Sequence, residues 1–282
     1  MSLVAQVDRA TPTARGRGRR PGELTRGAGL GLGIGVLWLS LLVLLPIAAI
    51  VSTAFEDGIA GFWDAITDPE AMAAIRFTVG AAALVTVVNA VVGTLIAWVL
   101  VRDQFPGKRI LEVVIDIPFA LPTIVAGLVL ITLYGPGGPF GVNLVGTQAG
   151  VVLALLFVTL PFVVRSVQPV LIDADREVEQ AAASLGANGF TIFRRVILPT
   201  ITPAVVSGAA LSFARALGEF GSVILISANL IGKTQVSSSY ILKMIESQEP
   251  VAAASVATLL LGVAVVVLVL LDVIQRRTAR RG

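Results

Sequence analysis

The chain has 282 residues and contains neither cysteine nor histidine. This absence excludes thiol nucleophiles, disulfides, Cys/His zinc sites and histidine acid–base catalysis. Charged residues make up only 14% of the chain, whereas 56% is hydrophobic and the mean hydropathy is +0.90. The solvent for most of such a chain is lipid. We therefore expect a membrane protein that is not an enzyme, with no metal site and no cofactor of its own.

Six apolar runs are each near the length that a helix needs to cross about 30 Å of hydrocarbon. They cover approximately residues 30–55, 77–101, 113–134, 149–167, 202–228 and 251–274. Backbone groups in lipid must be satisfied within the segment, so even the valine-rich runs are expected to be helices. The first run resembles a signal peptide, but its apolar core of about twenty residues is too long and favours a retained span. The predicted fold is an all-α polytopic membrane protein with six transmembrane helices within residues 30–274.

Lysine and arginine are distributed unevenly, which predicts the orientation of the spans. With the N-terminus inside, seventeen of the twenty-one lie in inner segments and three in outer segments (Arg76, Lys233 and Lys243), while Arg215 lies within a span. Both termini are therefore expected in the cytoplasm. Residues 1–29 are predicted to be a disordered, arginine-rich tail near anionic lipid heads; nucleic acid is a weaker alternative, because no aromatic residue interleaves with the arginines. Residues 275–282 are predicted to form a second basic tail.

Two of the predicted outer loops are expected to carry short helices. The first loop, residues 56–75, is acidic and suits an interfacial helix, and the third, residues 229–250, suits a short helix up to Glu249. Gly232-Lys233-Thr234 resembles the end of a phosphate-binding loop. Because Ser227 stands where that motif needs glycine, nucleotide binding is not predicted.

The longest polar interruption after the first hundred residues is Glu177–Pro199. Two glutamates near its start suit the N-terminal end of a helix dipole, and three consecutive alanines are strong helix formers. Gly186 and then Asn188-Gly189 are expected to adopt left-handed conformations that stop this helix, and Pro199 to mark the next boundary. The pattern predicts a helix–turn–helix that contacts something outside the membrane.

The spacing of this stretch resembles the EAA loop of permease subunits in bacterial ABC importers: Glu-Ala-Ala, three residues, Gly, nine residues and Ile-x-Leu-Pro. The resemblance implies an ATPase-coupling loop at residues 172–200. Its candidate coupling residues are Glu179, Gln180, Ala181, Ala182, Gly186, Val196, Leu198 and Pro199. At the position of the motif glutamate this chain carries Gln180, while Glu179 lies one residue earlier. An ordinary cytoplasmic loop helix is the alternative interpretation.

The fifth predicted span contains two charges, Arg215 and Glu219, which share a helix face because they lie four residues apart. Each charge at mid-membrane costs about 2.5–3.5 kcal/mol, so this helix should face protein or water. One interpretation is an internal ion pair that locks helices together. The other is a path or gate for an anion, lined by Arg215 and held by Glu219, because the arginine fork suits a tetrahedral oxyanion.

The spans contain further residues that suit a path or close packing. Pro118 and Pro122 are expected to kink the third span, which is tolerable only beside neighbouring helices or a water-filled cavity. Asn89 is a candidate for a hydrogen bond between helices. Gly208, Gly218 and Gly221 are expected to allow close helix contact.

Four further segments resemble the T-type permeases (the CysT family) of bacterial sulfate/thiosulfate importers, over about residues 41–271. They are Phe105-Pro-Gly-Lys, Asp116-Ile-Pro-Phe-Ala-Leu-Pro-Thr, Tyr134-Gly-Pro-Gly-Gly and Arg215-Ala-Leu-Gly-Glu-Phe-Gly. The last segment is also similar to molybdate permeases, whereas those at Asp116 and Tyr134 favour sulfate.

The resemblance implies a type I ABC-importer permease in the bacterial cytoplasmic membrane. Its implied partners are a second, W-type permease, two cytoplasmic ATPase subunits that bind the ATP, and a sulfate-binding protein on the outer face. Closure of the ATPases would push on the helix Gln180–Gly186 and switch the anion pathway. A molybdate or tungstate importer is the alternative within this class. An ion-coupled secondary carrier is expected to show paired halves or a repeat, and we find no convincing internal repeat.

Overall fold

The computed structural model describes residues 26–279, and every regular element among them is helical. Five helical segments are long and apolar enough to cross a membrane, and a bent pair of helices supplies a sixth span when the two are counted together. The predicted all-α polytopic fold is thereby confirmed. The parts of the two predicted tails at residues 1–25 and 280–282 lie outside the described residues.

The chain divides into one unit that ends at Ala49 and another that begins at Ile50. The helices are, in chain order, α1 (Arg26–Leu39), α2 (Leu45–Ala54), α3 (Gly58–Thr67), α4 (Pro69–Arg102), α5 (Lys108–Ala120), α6 (Thr123–Tyr134), α7 (Gln148–Asp173), α8 (Arg176–Ser184), α9 (Gly189–Ile192), α10 (Leu198–Leu217), α11 (Gly221–Ile226), α12 (Ser237–Glu246) and α13 (Pro250–Ala279). Two π-helical segments, Ser40–Leu44 and Phe193–Ile197, join α1 to α2 and α9 to α10.

Both π-helical segments lie just before a proline. The Leu45 N–H donates to Ser40 O and the Leu198 N–H donates to Phe193 O, so each bond reaches back five residues. A proline in a helix lacks the N–H and its ring clashes with the carbonyl four residues earlier, and a widened turn relieves both problems. One continuous helical span therefore runs through Pro199, from Gly189 to Leu217. The boundary expected at Pro199 is a change from π to α winding inside this span.

α4, α7 and α10 all pack against one another, and glycines on α4 and α10 allow α7 to approach closely. A Cβ at Gly93 of α4 would lie 2.9 Å from Val163 Cβ, and a Cβ at Gly208 of α10 would lie 2.8 Å from Val163 Cα. Real side chains do not tolerate such distances, so both positions require glycine. Gly208 thus confirms the predicted close contact. Gly221 confirms it too, because a Cβ there would lie 2.9 Å from Ile124 N of α6, although Gly221 begins α11 and is not part of the fifth span. Gly218 makes no such contact, and it lies just beyond α10, which ends at Leu217 and not near residue 228.

A buried polar cluster joins the same three helices. Asn89 Nδ2 donates to Thr159 Oγ1 at 2.8 Å and to Ser212 Oγ at 3.4 Å. All three side chains are buried. Polar groups in an apolar interior need partners, so the cluster fixes the depth of α4, α7 and α10 relative to one another. The predicted interhelical role of Asn89 is confirmed.

The third span is broken, and not merely kinked as predicted. α5 ends at Ala120, α6 begins at Thr123, and the two helices meet at 119°. Pro118 lies inside α5, and Pro122 is the N-cap of α6. Two prolines four residues apart withhold two backbone donors from one stretch of helix, which is why the chain bends so sharply here.

The predicted short helices of the outer loops are present as α3 and α12. α4 already begins at Pro69, so Arg76, which we assigned to an outer loop, lies inside a helix. Both Glu70 carboxylate oxygens accept from Lys243 Nζ at 2.7 Å, which fastens α12 to the start of α4. Burial, followed by the nearby carboxylates of Asp68 and Glu70, raises the pKa of Tyr240 on α12 to about 12.

Candidate coupling loop and translocation path

The loop after α7 begins with α8, which ends in a glycine turn. Gly186 has φ +86°. Its N–H donates to Ala183 O at 2.9 Å, and the Ala187 N–H donates to Ala182 O at 3.1 Å. This bond pair is the Schellman arrangement, whose left-handed position favours glycine. The left-handed helix stop predicted at Gly186 is confirmed, and its coupling role stays a prediction.

The chain then turns into α9 and presents apolar side chains to the surroundings. Neither Asn188 nor Gly189 is left-handed as predicted: Gly189 begins α9, and Asn188 has φ −75° and caps that helix, because its Oδ1 accepts from the Thr191 N–H at 2.9 Å. Three large apolar side chains on α8, the glycine turn and α9 are exposed: Val178, Leu185 and Phe190. We call these three residues the loop patch. These apolar side chains are available for contact with another protein.

The predicted coupling residues fall into two groups. Gln180, Ala181, Gly186, Leu198 and Pro199 are exposed, whereas Glu179, Ala182 and Val196 are partly buried. Gln180, at the position of the motif glutamate, is therefore accessible to a partner. Glu179 points elsewhere.

Glu179 is held within the subunit by Arg102, the last residue of α4. Arg102 Nη2 donates to Glu179 Oε1, and the side chains are only 11% and 21% exposed, respectively. The Arg102 guanidinium lies 5.5 Å from the centroid of the Trp98 ring. Trp98 in turn packs edge-on against Phe193, with ring centroids 5.5 Å apart. The loop helix α8 is thus tied to α4 and to the π-helical start of the fifth span.

Arg215 and Glu219 form the predicted ion pair, although Glu219 lies beyond the end of α10. Arg215 Nη1 lies 2.5 Å from Glu219 Oε2. The other carboxylate oxygen accepts from both the backbone N–H and the hydroxyl of Ser222, each at 2.9 Å. Glu219 is 1% exposed, whereas Arg215 is 33% exposed. The carboxylate is therefore fixed, and part of the guanidinium is accessible.

A second ion pair inside the spans joins Arg165 of α7 to Asp116 of α5. Arg165 Nε donates to Asp116 Oδ1 at 2.8 Å, and Nη2 donates to Oδ2 of the same carboxylate. Nη1 donates to Gln168 Oε1 at 2.7 Å. The charge distribution places Arg165 among inner-loop cations, but α7 continues to Asp173. This pair was not predicted from the sequence, although Asp116 indicated that one exists, because a carboxylate inside a predicted span requires a partner.

The comparisons with known proteins agree with this architecture. Residues 89–280 match the family described as "Binding-protein-dependent transport system inner membrane component". The chain is 42% identical over 247 residues to the sulfate transport system permease protein CysT of Synechocystis sp., covering 85% of this chain and 86% of that relative. It is 40% identical over 252 residues to the protein of the same name from Salmonella typhimurium, covering 87% and 91%, respectively.

Solved structures share the fold at low sequence identity. A chain of a bacterial alginate ABC transporter, crystallised with a periplasmic protein that carries an alginate pentasaccharide, matches with a TM-score of 0.74 at 15% identity. The match covers 88% of this chain and 93% of that chain. A chain of the MetNI methionine ABC transporter, in an inward-facing conformation, matches with a TM-score of 0.56 at 18% identity and covers 75% and 99%.

Proposed function

Because this chain belongs to the family of binding-protein-dependent transport system inner membrane components, we propose that it is the permease subunit that carries sulfate or thiosulfate in an ABC importer. Family membership makes it a multi-pass inner-membrane transport subunit, and the cargo is the proposed step. The observation that carries this step is 42% identity to a sulfate permease across 85% of the chain. Molybdate or tungstate is the second candidate, because the segment from Arg215 to Gly221 is also similar to molybdate permeases.

The proposed importer contains this chain, a W-type permease, two ATPase subunits and an outer sulfate-binding protein. Both termini and the loop at residues 172–200 lie on the cytoplasmic side. An ATPase subunit covers the loop patch (Val178, Leu185 and Phe190), which supplies the apolar contact that such docking requires. ATP hydrolysis takes place in that partner and moves α8.

Arg215 contacts the anion in this proposal. Its accessible guanidinium carries the charge and the paired N–H donors that suit a tetrahedral oxyanion. Glu219, fixed by Ser222, holds the guanidinium in place and keeps an isolated cation from being buried. Moving a divalent anion into a cell with an inside-negative potential requires work of about 2.3 kcal/mol per charge per 100 mV. In this proposal the ATPases supply that work.

Radiolabelled sulfate uptake tests the cargo. Cells that lack this chain are compared before and after it is restored, with unlabelled thiosulfate or molybdate as competitor. We expect restored uptake that thiosulfate blocks and molybdate does not. Restored molybdate uptake without sulfate uptake would leave the family and the coupling loop intact and overturn the cargo.

Removing either partner of the Arg102–Glu179 pair is expected to lower ATP-driven uptake. Each of Arg102→Ala and Glu179→Ala leaves a partly buried charge unpaired, which costs about 1–3 kcal/mol. Since this pair ties α8 to α4, movement of α8 should then fail to reach the second span. Uptake and ATP hydrolysis are measured together on the reconstituted complex, and hydrolysis should persist while uptake falls.

Exchanging the two charges shows whether uptake falls because the Arg102–Glu179 link between α8 and α4 is lost or because the subunit is destabilised. The double variant Arg102→Glu/Glu179→Arg re-forms an ion pair and should recover part of the uptake lost in the single variants. Arg276→Ala, at the exposed Arg276–Asp272 pair of α13, is the matched control and should behave as wild type. Wild-type uptake in both single variants would rule out the link.

A further inference from the structure

Arg165 of α7 and Asp116 of α5 form an ion pair inside the spans, and the proposed function gives this pair no role. α7 has 26 residues and is therefore about 39 Å long, against about 30 Å of hydrocarbon. Arg165 lies eight residues before the end of α7 at Asp173, or about 12 Å along the axis. That distance exceeds the whole overhang of about 9 Å, so Arg165 lies within the hydrocarbon layer.

Both members of this pair are partly exposed, at 38% for Arg165 and 44% for Asp116. Charged side chains at this depth are strongly disfavoured where they contact lipid. The face that α5 and α7 present here must therefore border water or another polypeptide. The anion pathway of an importer is such a water-filled space.

The carboxylates that pair with the two arginines, Glu219 and Asp116, differ in how firmly they are held. Glu219 is buried and accepts two hydrogen bonds from Ser222. Asp116 is half-exposed, so water can solvate it if it leaves Arg165. It also lies on α5, which meets α6 at 119° and packs against α7. A movement of α5 at this break would separate Asp116 from Arg165.

We propose that Arg165 is a second anion-binding residue, at which a tetrahedral divalent oxyanion displaces the Asp116 carboxylate as α5 moves away from α7. This inference rests on the proposed function, since its ligand is the importer's own cargo. Two oxygens of the oxyanion can accept hydrogen bonds from Arg165 Nε and Nη2, as the two oxygens of the Asp116 carboxylate do. Gln168 accepts from Nη1 and keeps the guanidinium oriented during the exchange.

The two arginines occupy different depths on neighbouring helices. A Cβ at Gly208 would meet Val163 and Ser166, so Arg165 lies near the depth of Gly208. Arg215 is seven residues further along α10, or about 10 Å. In the proposed path, an anion leaves Arg215, whose partner carboxylate is fixed, and next binds Arg165, whose partner carboxylate is exchangeable and returns once the anion has gone.

Binding of radiolabelled sulfate to the purified complex, without its binding protein, tests the exchange. Asp116→Asn removes the competing charge at nearly constant size, so sulfate binding should rise about fivefold or more. Asp116→Asn/Arg165→Gln should lose this gain. No gain in Asp116→Asn would overturn the proposal.

A charge exchange distinguishes an anion site from a structural pair. Asp116→Arg/Arg165→Asp re-forms the ion pair but places a carboxylate on α7, so the complex should assemble and transport poorly. Wild-type uptake by this variant would make the pair structural and overturn the proposal. Arg165→Lys, which keeps the charge and loses the fork, should raise the KM for uptake while assembly is unchanged; an unchanged KM would count against the anion contact.

Two controls separate failure of this inference from failure of the proposed function. Arg276→Gln, at the exposed pair of α13, should bind and transport as wild type. If wild-type complex transports molybdate and not sulfate, the proposed cargo is wrong, and the same variants are then measured with molybdate. If wild-type complex transports sulfate and the Asp116 and Arg165 variants match it, this inference alone is overturned.

Discussion

Replacing Arg215 with alanine is expected to slow sulfate uptake strongly while the subunit still reaches the membrane. A bidentate, charge-assisted contact contributes about 3 kcal/mol, so its loss should slow uptake about 100-fold. The measurement is the initial rate of radiolabelled sulfate uptake, with the amount of assembled complex determined on the same membranes. Arg215→Lys keeps the charge without the fork and should retain an intermediate rate.

The alanine variant alone does not separate anion contact from an internal ion pair, because it leaves Glu219 buried and unpaired. Arg215→Ala/Glu219→Gln removes that isolated charge and keeps the hydrogen bonds with Ser222 possible. If Arg215 contacts the anion, the double variant should assemble well and still fail to transport. Recovery of uptake in the double variant would instead assign the pair to helix locking.

Replacing Gly186 with valine is expected to uncouple the subunit from its ATPases. A side chain at φ +86° is strained by about 1–2 kcal/mol, and a β-branched one most of all. No atom lies within 4 Å of the Cβ position, so the effect would come from the backbone turn and not from crowding within the subunit. Stimulation of ATP hydrolysis by the loaded binding protein should fall about tenfold, with the complex still in the membrane.

Gly186→Asn is the matched control, because asparagine tolerates the left-handed conformation and also adds bulk to the exposed turn. We expect it to keep most of the stimulation. Loss in both variants would mean that bulk at the ATPase contact matters and backbone strain does not. Full stimulation in Gly186→Val would rule out this turn as part of the docking surface.

Features that depend on neighbours in sequence were predictable. Gly186 ends α8 because a helix that stops needs a left-handed residue at this position, and the sequence offers glycine there. Arg215 and Glu219 meet because they lie four residues apart. The spans themselves follow from the lengths of the apolar runs.

Features that depend on helix packing were not predictable. Arg102 and Glu179 lie 77 residues apart, and Asp116 and Arg165 lie 49 residues apart, so each pair exists only once the bundle is assembled. Pro199 was also misleading. Alone it predicts a break, but the π-helical segment before it absorbs the clash and lets the span continue.

That π-helical segment has a geometric consequence for the opposite end of the same span. A π-helical turn holds about one residue more than the 3.6 residues of an α-helical turn, so the five residues Phe193–Ile197 rotate the chain about as far as four α-helical residues would. The azimuth of Arg215, and thus the direction in which its guanidinium faces, is set in part by the winding at Phe193–Ile197. A one-residue deletion within this segment, with the turn rewound as α-helix, would leave the arginine near its present bearing, whereas the same deletion in the regular part of α10 would rotate it by about 100°.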